Sequence, residues 1–186
     1  MLVAHPENRD VWQAYAVACY MNKDFVNCLS TIDSILKFIQ EQADSKKKTW
    51  DLSPVQKFEV IKMKIKAHEE LGEVDKALEY LQANIKDFVD DLQRSDFLGR
   101  LHSKKGDSEK AVHHFEDLLM LNACNFDTYY SLIEAKGVKL RNEHGEFLTD
   151  LSDKDRETVT STLAHYQTKF PRVNAHQRIA LRYLKG

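Results

Sequence analysis

Apolar side chains recur at intervals of three and four residues along most of the chain, and short polar stretches separate the blocks. The block at residues 55–71 places Phe58, Ile61 and Ile65 on one face of a helix. Gly72 follows at a position where helices commonly end in the left-handed conformation. The pattern predicts a series of amphipathic helices, so the expected fold class is all-α.

Two of the blocks repeat one another at a spacing of about 34 residues, the period of the tetratricopeptide repeat. The stretch LGEVDKALEYL, residues 71–81, aligns with KGDSEKAVHHF, residues 105–115. The matched pairs include Gly72 with Gly106, Glu73 with Asp107, Lys76 with Lys110 and Ala77 with Ala111. A turn and a helix at this period predict a tetratricopeptide-repeat-like α-solenoid of antiparallel helix hairpins.

Less regular copies of this unit account for the rest of the chain. In the first copy, Trp12, Ala16 and Cys19 have the spacing of the first helix of a repeat. We predict one solenoid segment with repeats at about residues 6–40, 55–87, 90–122 and 126–171. Polar stretches at residues 42–53 and 137–153 are predicted to be insertions. Residues 172–186 are predicted to open a further unit.

The same pattern indicates where the helices of a hairpin approach most closely. Cys28 and Ala77 occupy the small position of the second helix, and Gly99 should let its neighbouring helix come close. Cys28 is therefore expected to be buried and unreactive, and His102 to be packed inside its repeat. Ser152 or Asp153 is expected to cap a helix over about residues 154–169.

The amino-acid composition bears on whether the chain binds nucleic acid, forms disulfides or spans a membrane. The chain has 27 basic and 29 acidic side chains, so no basic excess points to nucleic acid and no sequence-specific nucleic-acid partner is expected. Its three cysteines form no C-x-x-C pair, which favours reduced thiols inside a cell. No apolar run reaches the roughly 18 residues of a membrane span. We therefore predict a cytoplasmic protein without a membrane partner.

The candidate chemistry does not form a recognisable catalytic or metal motif. His113 and His114 are adjacent, so on a helix they diverge by about 100° and chelate poorly. The segment His68-Glu69-Glu70-Leu71-Gly72 has Gly72 where the zinc-binding H-E-x-x-H motif requires its second histidine. Phosphate-binding and nucleophile-elbow glycine motifs do not occur. We predict no catalytic residue, no metal site and no cofactor site in this chain.

Stacked hairpins instead suggest a binding surface on the first helix of each pair. Its candidate exposed residues are Gln13, Val17, Tyr20, Glu59, Lys62, Lys66, Asp96, Arg100, Tyr130 and Glu134. A second candidate surface for a partner is the basic series Arg172, Arg178, Arg182 and Lys185. A solvated helix face is the alternative for any one residue of the first set, and a plain basic helix edge is the alternative for the second.

With these elements in order, the chain resembles the auxiliary (scaffold) subunit of the eukaryotic N-terminal acetyltransferase A complex, in the middle of its tetratricopeptide array. The segments that carry the resemblance are NFDTYY at residues 125–130 and KFPR at residues 169–172, which Arg178, Leu181 and Leu184 follow. The family usually has Gly after the second motif and a second Pro soon after it. Val173 and His176 depart from that pattern.

The resemblance implies that the chain is an internal fragment of a non-catalytic scaffold. The scaffold would bind a separate acetyltransferase catalytic subunit, which would use acetyl-CoA, and would help to dock it at the ribosome. One alternative is a generic interaction adaptor, such as a chaperone adaptor for acidic C-terminal peptides. Gln13 and Val17 stand where such an adaptor needs Lys and Asn. A free-standing enzyme is the other alternative.

Overall fold

The computed structural model describes residues 9–44, 52–88, 90–142, 144–148 and 150–184. These residues form helices α1 (Arg9–Met21), α2 (Phe25–Asp44), α3 (Pro54–Glu70), α4 (Val74–Ala83), α5 (Asp91–Lys105), α6 (Ser108–Leu121), α7 (Phe126–Ala135), α8 (Asp153–Lys169) and α9 (Ala175–Tyr183). A short 3₁₀ turn, Ile85–Asp87, follows α4. Within the described ranges the only β pairing is one isolated antiparallel bridge, between Arg141 and Phe147. The predicted all-α class is confirmed.

The helix ends follow from local chemistry. The N-cap of α3 is Ser53, whose side chain accepts from the Gln56 backbone N–H while the Gln56 side chain accepts from the Ser53 backbone N–H, a complete capping box. Ser152 is the N-cap of α8, as expected, and its side-chain oxygen accepts from the Asp155 backbone N–H at 3.2 Å. Helix α2 runs to Asp44, past the predicted repeat end at residue 40, because no Gly or Pro interrupts it there. Most of the predicted insertion at 42–53 lies outside the described residues.

The chain divides into two compact units, residues 1–89 and 90–186, which are described separately. In the first unit, α1 packs against α2, α2 against α3 and α3 against α4. Its core includes Ala16, Cys28, Ile32, Val60 and Ala67, and Cys28 is fully buried as predicted. Ala77 and Leu81 of α4 are also fully buried. The assignment of the helices to individual repeats stays a prediction.

In the second unit, α5 and α6 form a tight hairpin, and Gly99 sets their separation. A Cβ atom built at Gly99 would lie 2.7 Å from Cε1 of Phe115, closer than real Cβ contacts come. Gly106 ends α5 in the left-handed conformation, with φ of 85°. The close approach predicted for Gly99 is therefore confirmed, and the absence of a side chain there is what permits it.

The two turns that repeat in sequence also repeat in structure. After α3, His68 Nδ1 lies 2.7 Å from Glu73 Oε2, and Lys76 Nζ lies 2.6 Å from the other Glu73 oxygen. The same three positions after α5 hold His102, Asp107 and Lys110. Their separations are 3.5 Å for the His102–Asp107 pair and 2.9 Å for the Lys110–Asp107 pair. In the first hairpin Glu73 thus links both helices across the turn, whereas in the second the buried His102 Nδ1 has no hydrogen-bond partner among the described residues.

Helices α7, α8 and α9 share one apolar core with α6, and the predicted insertion at 137–153 contributes to it. Val138, Leu140 and Leu151 of this segment are buried beside Tyr129 and Tyr166. The Leu148 N–H donates to the Leu140 carbonyl at 2.8 Å, which closes the segment into a loop around the Arg141–Phe147 bridge. The insertion is therefore a packed part of the second unit.

Candidate interaction surfaces

An apolar recess opens between α1, α2 and α3 in the first unit. Its volume is about 310 Å³, its floor includes the buried Ile32, Ile35 and Val60, and its rim includes Val17 and Val55. Val17 is 45% exposed and Val55 is 70% exposed. We name this feature the α1–α3 recess. Its shape and lining suit an apolar side chain of a partner.

The predicted binding residues of the first unit are not brought to one place. Gln13 lines the α1–α3 recess, where its side-chain oxygen accepts from Gln56 Nε2 at 3.4 Å. Tyr20 packs instead edge-to-face on Phe25, with ring centroids 5.5 Å apart. Lys62 Nζ lies 2.6 Å from Glu59 and 4.6 Å above the Phe58 ring.

Lys66 is exposed on α3, as predicted, but it is not among the residues that line the recess. Of the binding residues predicted for the first unit, those that line the α1–α3 recess are Gln13, Val17 and Glu59. The recess residues Val55 and Met63 were missed. Val55 lies in the first turn of α3 and Met63 lies between the buried Ile61 and Ile65, so helical period alone does not distinguish them from core residues.

In the second unit, Arg100 lies beside Asp96, with Nη1 to Oδ2 at 3.5 Å, and its guanidinium lies 4.9 Å from the Phe97 ring centroid. A more polar recess of about 200 Å³ lies nearby between α5, α6 and α7. Leu92, Asp96, Asn122 and Thr128 are among its lining residues, whereas Arg100 is not.

The expectation that Tyr130 is exposed is wrong. Its side chain is only 7% exposed, and its ring lies 4.7 Å from that of Phe147 and 6.5 Å from that of Tyr183. The physical reason is that the insertion and α9 fold over this face of α7. Residue spacing within α7 cannot predict that other segments bury Tyr130. The apolar Phe147 inside a polar stretch did indicate that this side chain packs against another part of the chain.

Three arginines of the predicted basic series are exposed, and two of them contact aromatic rings. The Arg178 guanidinium lies 5.6 Å from the Phe126 ring centroid, and that of Arg182 lies 4.2 Å from the Phe147 centroid. Arg182 Nη1 also donates to the Tyr130 hydroxyl at 3.4 Å. Arg172 is exposed in the turn before α9, and Lys185 lies outside the described residues. The structure thus brings Tyr130 and Arg182 together.

Burial sets the protonation of several reactive side chains. Burial raises the pKa of the Cys28 thiol to about 11, which keeps it protonated at neutral pH. Burial also lowers the pKa of His102 and of His114, whose rings stack with centroids 5.7 Å apart. In the part of the chain that the structure describes, no three His, Cys, Asp or Glu side chains converge as metal ligands would. None of its helices is both long and apolar enough to cross a membrane.

Paired amphipathic helices, a glycine at their closest approach and surface recesses between them define a helical-repeat protein with surfaces for binding. A family model described as "N-terminal acetyltransferase A, auxiliary subunit" matches residues 55–186, and the chain belongs to this family. The resemblance expected from the sequence is thereby confirmed.

Two similar proteins match the whole chain. The chain is 24% identical over 185 residues to the N-terminal acetyltransferase A complex auxiliary subunit NAA15 of Arabidopsis thaliana, covering 100% of this chain and 19% of that relative. A solved structure described as Naa15/Naa10 bound to HypK-THB matches with a TM-score of 0.68 and 24% identity. It covers 100% of this chain and 25% of the matched one, and it confirms the solenoid fold. The chain therefore spans about a fifth of the length of the curated relative.

Proposed function

We propose that this chain is a segment of a non-catalytic scaffold that binds and positions an N-terminal acetyltransferase catalytic subunit. The observation that carries the proposal is the match of residues 55–186 to the auxiliary-subunit family. A similar chain occurs in a structure described as Naa15/Naa10 bound to HypK-THB, so a related array takes part in a protein assembly. In this proposal acetyl-CoA binds to the partner and not to this chain, and the complex works in the cytoplasm at the ribosome.

The α1–α3 recess supports a protein partner on physical grounds. Binding hot spots are buried anchors that fill a pocket on the other protein, and a largely apolar recess of about 310 Å³ accommodates such an anchor. Transfer of Val17 and Val55 from water into an interface would add favourable apolar burial. The recess holds no pair of carboxylates and no histidine that could serve as acid or base.

Co-expression with an N-terminal acetyltransferase catalytic subunit tests the proposal. The chain should co-elute with that subunit in size-exclusion chromatography. Val17→Asp should weaken the complex because it places a charge at the rim of the recess. Val26→Asp is the matched control, since Val26 is 65% exposed on α2 and does not line the recess.

Two results would contradict this proposal in different ways. If the wild-type chain fails to co-elute with the catalytic subunit, or acetylates peptides without it, the scaffold function is wrong. If the complex forms and both aspartate variants weaken it equally, the scaffold function stands and the recess is not the contact.

A further inference from the structure

Helix α9 has two faces with very different surroundings. At 100° per residue, His176, Ile179 and Tyr183 share one side, and all three are buried. Arg178, Leu181 and Arg182 fall within about 100° of one another on the other side. These three side chains are exposed, and Leu181, which is 56% exposed, lies about 60° around the helix from Arg178 on the side away from Arg182. We name them the α9 outer face.

The positive charges of the α9 outer face are not neutralised by the described part of the chain. Neither Arg178 nor Arg182 lies within ion-pair distance of a described carboxylate, and the hydrogen bond of Arg182 is to a neutral hydroxyl. Glu134, an acidic side chain of α7, is already bound by Arg141, which donates to it through both Nε and Nη2. That pairing also raises the pKa of Arg141. Two cationic side chains are thus left for an external acidic group.

The aromatic contacts hold both arginines in place without consuming their donors. Phe126 lies against the Arg178 guanidinium at 5.6 Å and Phe147 against that of Arg182 at 4.2 Å, so each ring contacts a guanidinium within the range of a cation–π contact. A guanidinium in such a contact still has N–H groups along its edge for a carboxylate. Part of the entropy cost of fixing a long side chain is therefore met before binding.

We propose that the α9 outer face docks a helix of a partner protein that carries two carboxylates one turn apart, beside an apolar side chain. Arg178 and Arg182 are four residues apart, about 6 Å along the helix axis, which matches the spacing of Glu or Asp at positions i and i+4 of an opposing helix. Leu181 takes the apolar side chain. A recess of about 140 Å³ beside Arg178, with Phe126, Val173 and Asn174 in its lining, gives one carboxylate side chain room to enter.

An acidic protein segment fits this surface better than nucleic acid does. Phosphate-backbone binding relies on a broad positive field, whereas this chain carries 27 basic and 29 acidic side chains and has a net charge of −2. The exposed Leu181 beside the arginines also favours an amphipathic protein helix. The proposal rests on α9 and its neighbours alone, so it holds or fails independently of the acetyltransferase assignment.

Fluorescence anisotropy with a labelled helical peptide tests the proposal. The probe has an alanine-rich background with one Leu and two Glu residues at i and i+4, and its control has the same composition with the two Glu residues at i and i+2. The 186-residue chain should prefer the first peptide. The double variant Arg178→Gln/Arg182→Gln should bind it about tenfold more weakly, because two charge-assisted contacts are lost. Arg178→Lys/Arg182→Lys should fall between the two, because lysine keeps the charge but not the planar contact.

The charge-matched control is Lys139→Gln/Lys154→Gln, which removes two exposed cations from the same unit. It should bind as the wild type does, and melting curves by circular dichroism should show all variants folded. Equal weakening by both glutamine pairs, equal affinity for both peptides, or tighter binding of a single-stranded RNA of similar length would each overturn the proposal. Loss of peptide binding in a longer chain with further repeats after residue 186 would overturn it too, because the array would then cover α9 itself.

Discussion

Substitution of Gly99 by alanine probes the closest contact between α5 and α6. The added methyl carbon would lie 2.7 Å from Cε1 and 3.0 Å from Cδ1 and Cζ of Phe115, a ring that is itself 2% exposed. Because the ring is enclosed, either it leaves its position or the two helices separate. Overpacking of this kind costs about 1–3 kcal/mol. Alanine gains back about 1 kcal/mol over glycine in a helix interior.

The net expectation is that Gly99→Ala lowers the free energy of unfolding of the second unit by about 1 kcal/mol. Urea denaturation followed by far-UV circular dichroism measures it. The decisive control repeats the substitution in a Phe115→Leu background, where the colliding ring carbons are absent. There only the propensity gain remains, so Gly99→Ala should stabilise the unit by about 1 kcal/mol. The sign of the effect should therefore reverse between the two backgrounds.

A result of the same sign and size in both backgrounds would refute this reasoning, since Phe115 would then not be the group that requires glycine. The double-mutant comparison also removes the cost of Phe115→Leu itself, which loses buried apolar volume in either case. A coupling of about 2 kcal/mol is what the contact distances imply.

Three further predictions follow from the caps, thiols and histidines. Ser53→Ala breaks the capping box of α3 and should lower stability of the first unit by about 1 kcal/mol in urea denaturation, whereas no change would mean that the cap is not formed in solution. Among the thiols, Cys124 is exposed while Cys28 is fully buried, so a thiol reagent should modify Cys124 rapidly in the native state and Cys28 only on unfolding. Burial lowers the pKa of His102, His114 and His176, so the unfolded chain binds protons more readily and stability should fall as pH drops through the unfolded value of about 6.5. Thermal melts at neutral and mildly acidic pH measure that loss, and His176→Leu should reduce it.

The regular hairpins could be predicted from sequence because their determinants are local. Helical period, the glycine turns and the small residue at the close contact each depend on residues that are near one another in sequence. Gly99 and Cys28 were assigned correctly on that basis. The sequence alignment showed the acidic residue and the lysine that pair after each turn, since Glu73 aligns with Asp107 and Lys76 with Lys110. Of the aligned histidines, His68 bonds to Glu73, while His102 lies 3.5 Å from Asp107 without a hydrogen bond, a difference that the sequence does not show.

The candidate site was harder to predict because burial at Tyr130 depends on residues far away in sequence. Phe147 and Tyr183 reach it from the insertion and from α9, which helical period does not encode. Of the predicted basic series, Arg172 in the turn before α9 and Arg178 and Arg182 on α9 are exposed. Whether any of the predicted residues contacts a partner stays a prediction.

The insertion changes which helix of the second unit can meet a partner. In a simple hairpin the exposed face of the first helix binds the partner, but here Val138, Leu140 and Leu151 anchor a loop that lies over α7. The Tyr183 hydroxyl donates to the Leu140 carbonyl at 3.5 Å. Burial raises the pKa of that hydroxyl to about 12, so it stays a neutral donor at physiological pH and connects α9 to the loop. Tyr130 is enclosed and Glu134 is paired with Arg141, whereas Arg178 and Arg182 of α9 are exposed. The irregular segment therefore covers Tyr130, the α7 residue that was predicted to be exposed, and it supplies Phe147, the ring against which Arg182 of α9 lies.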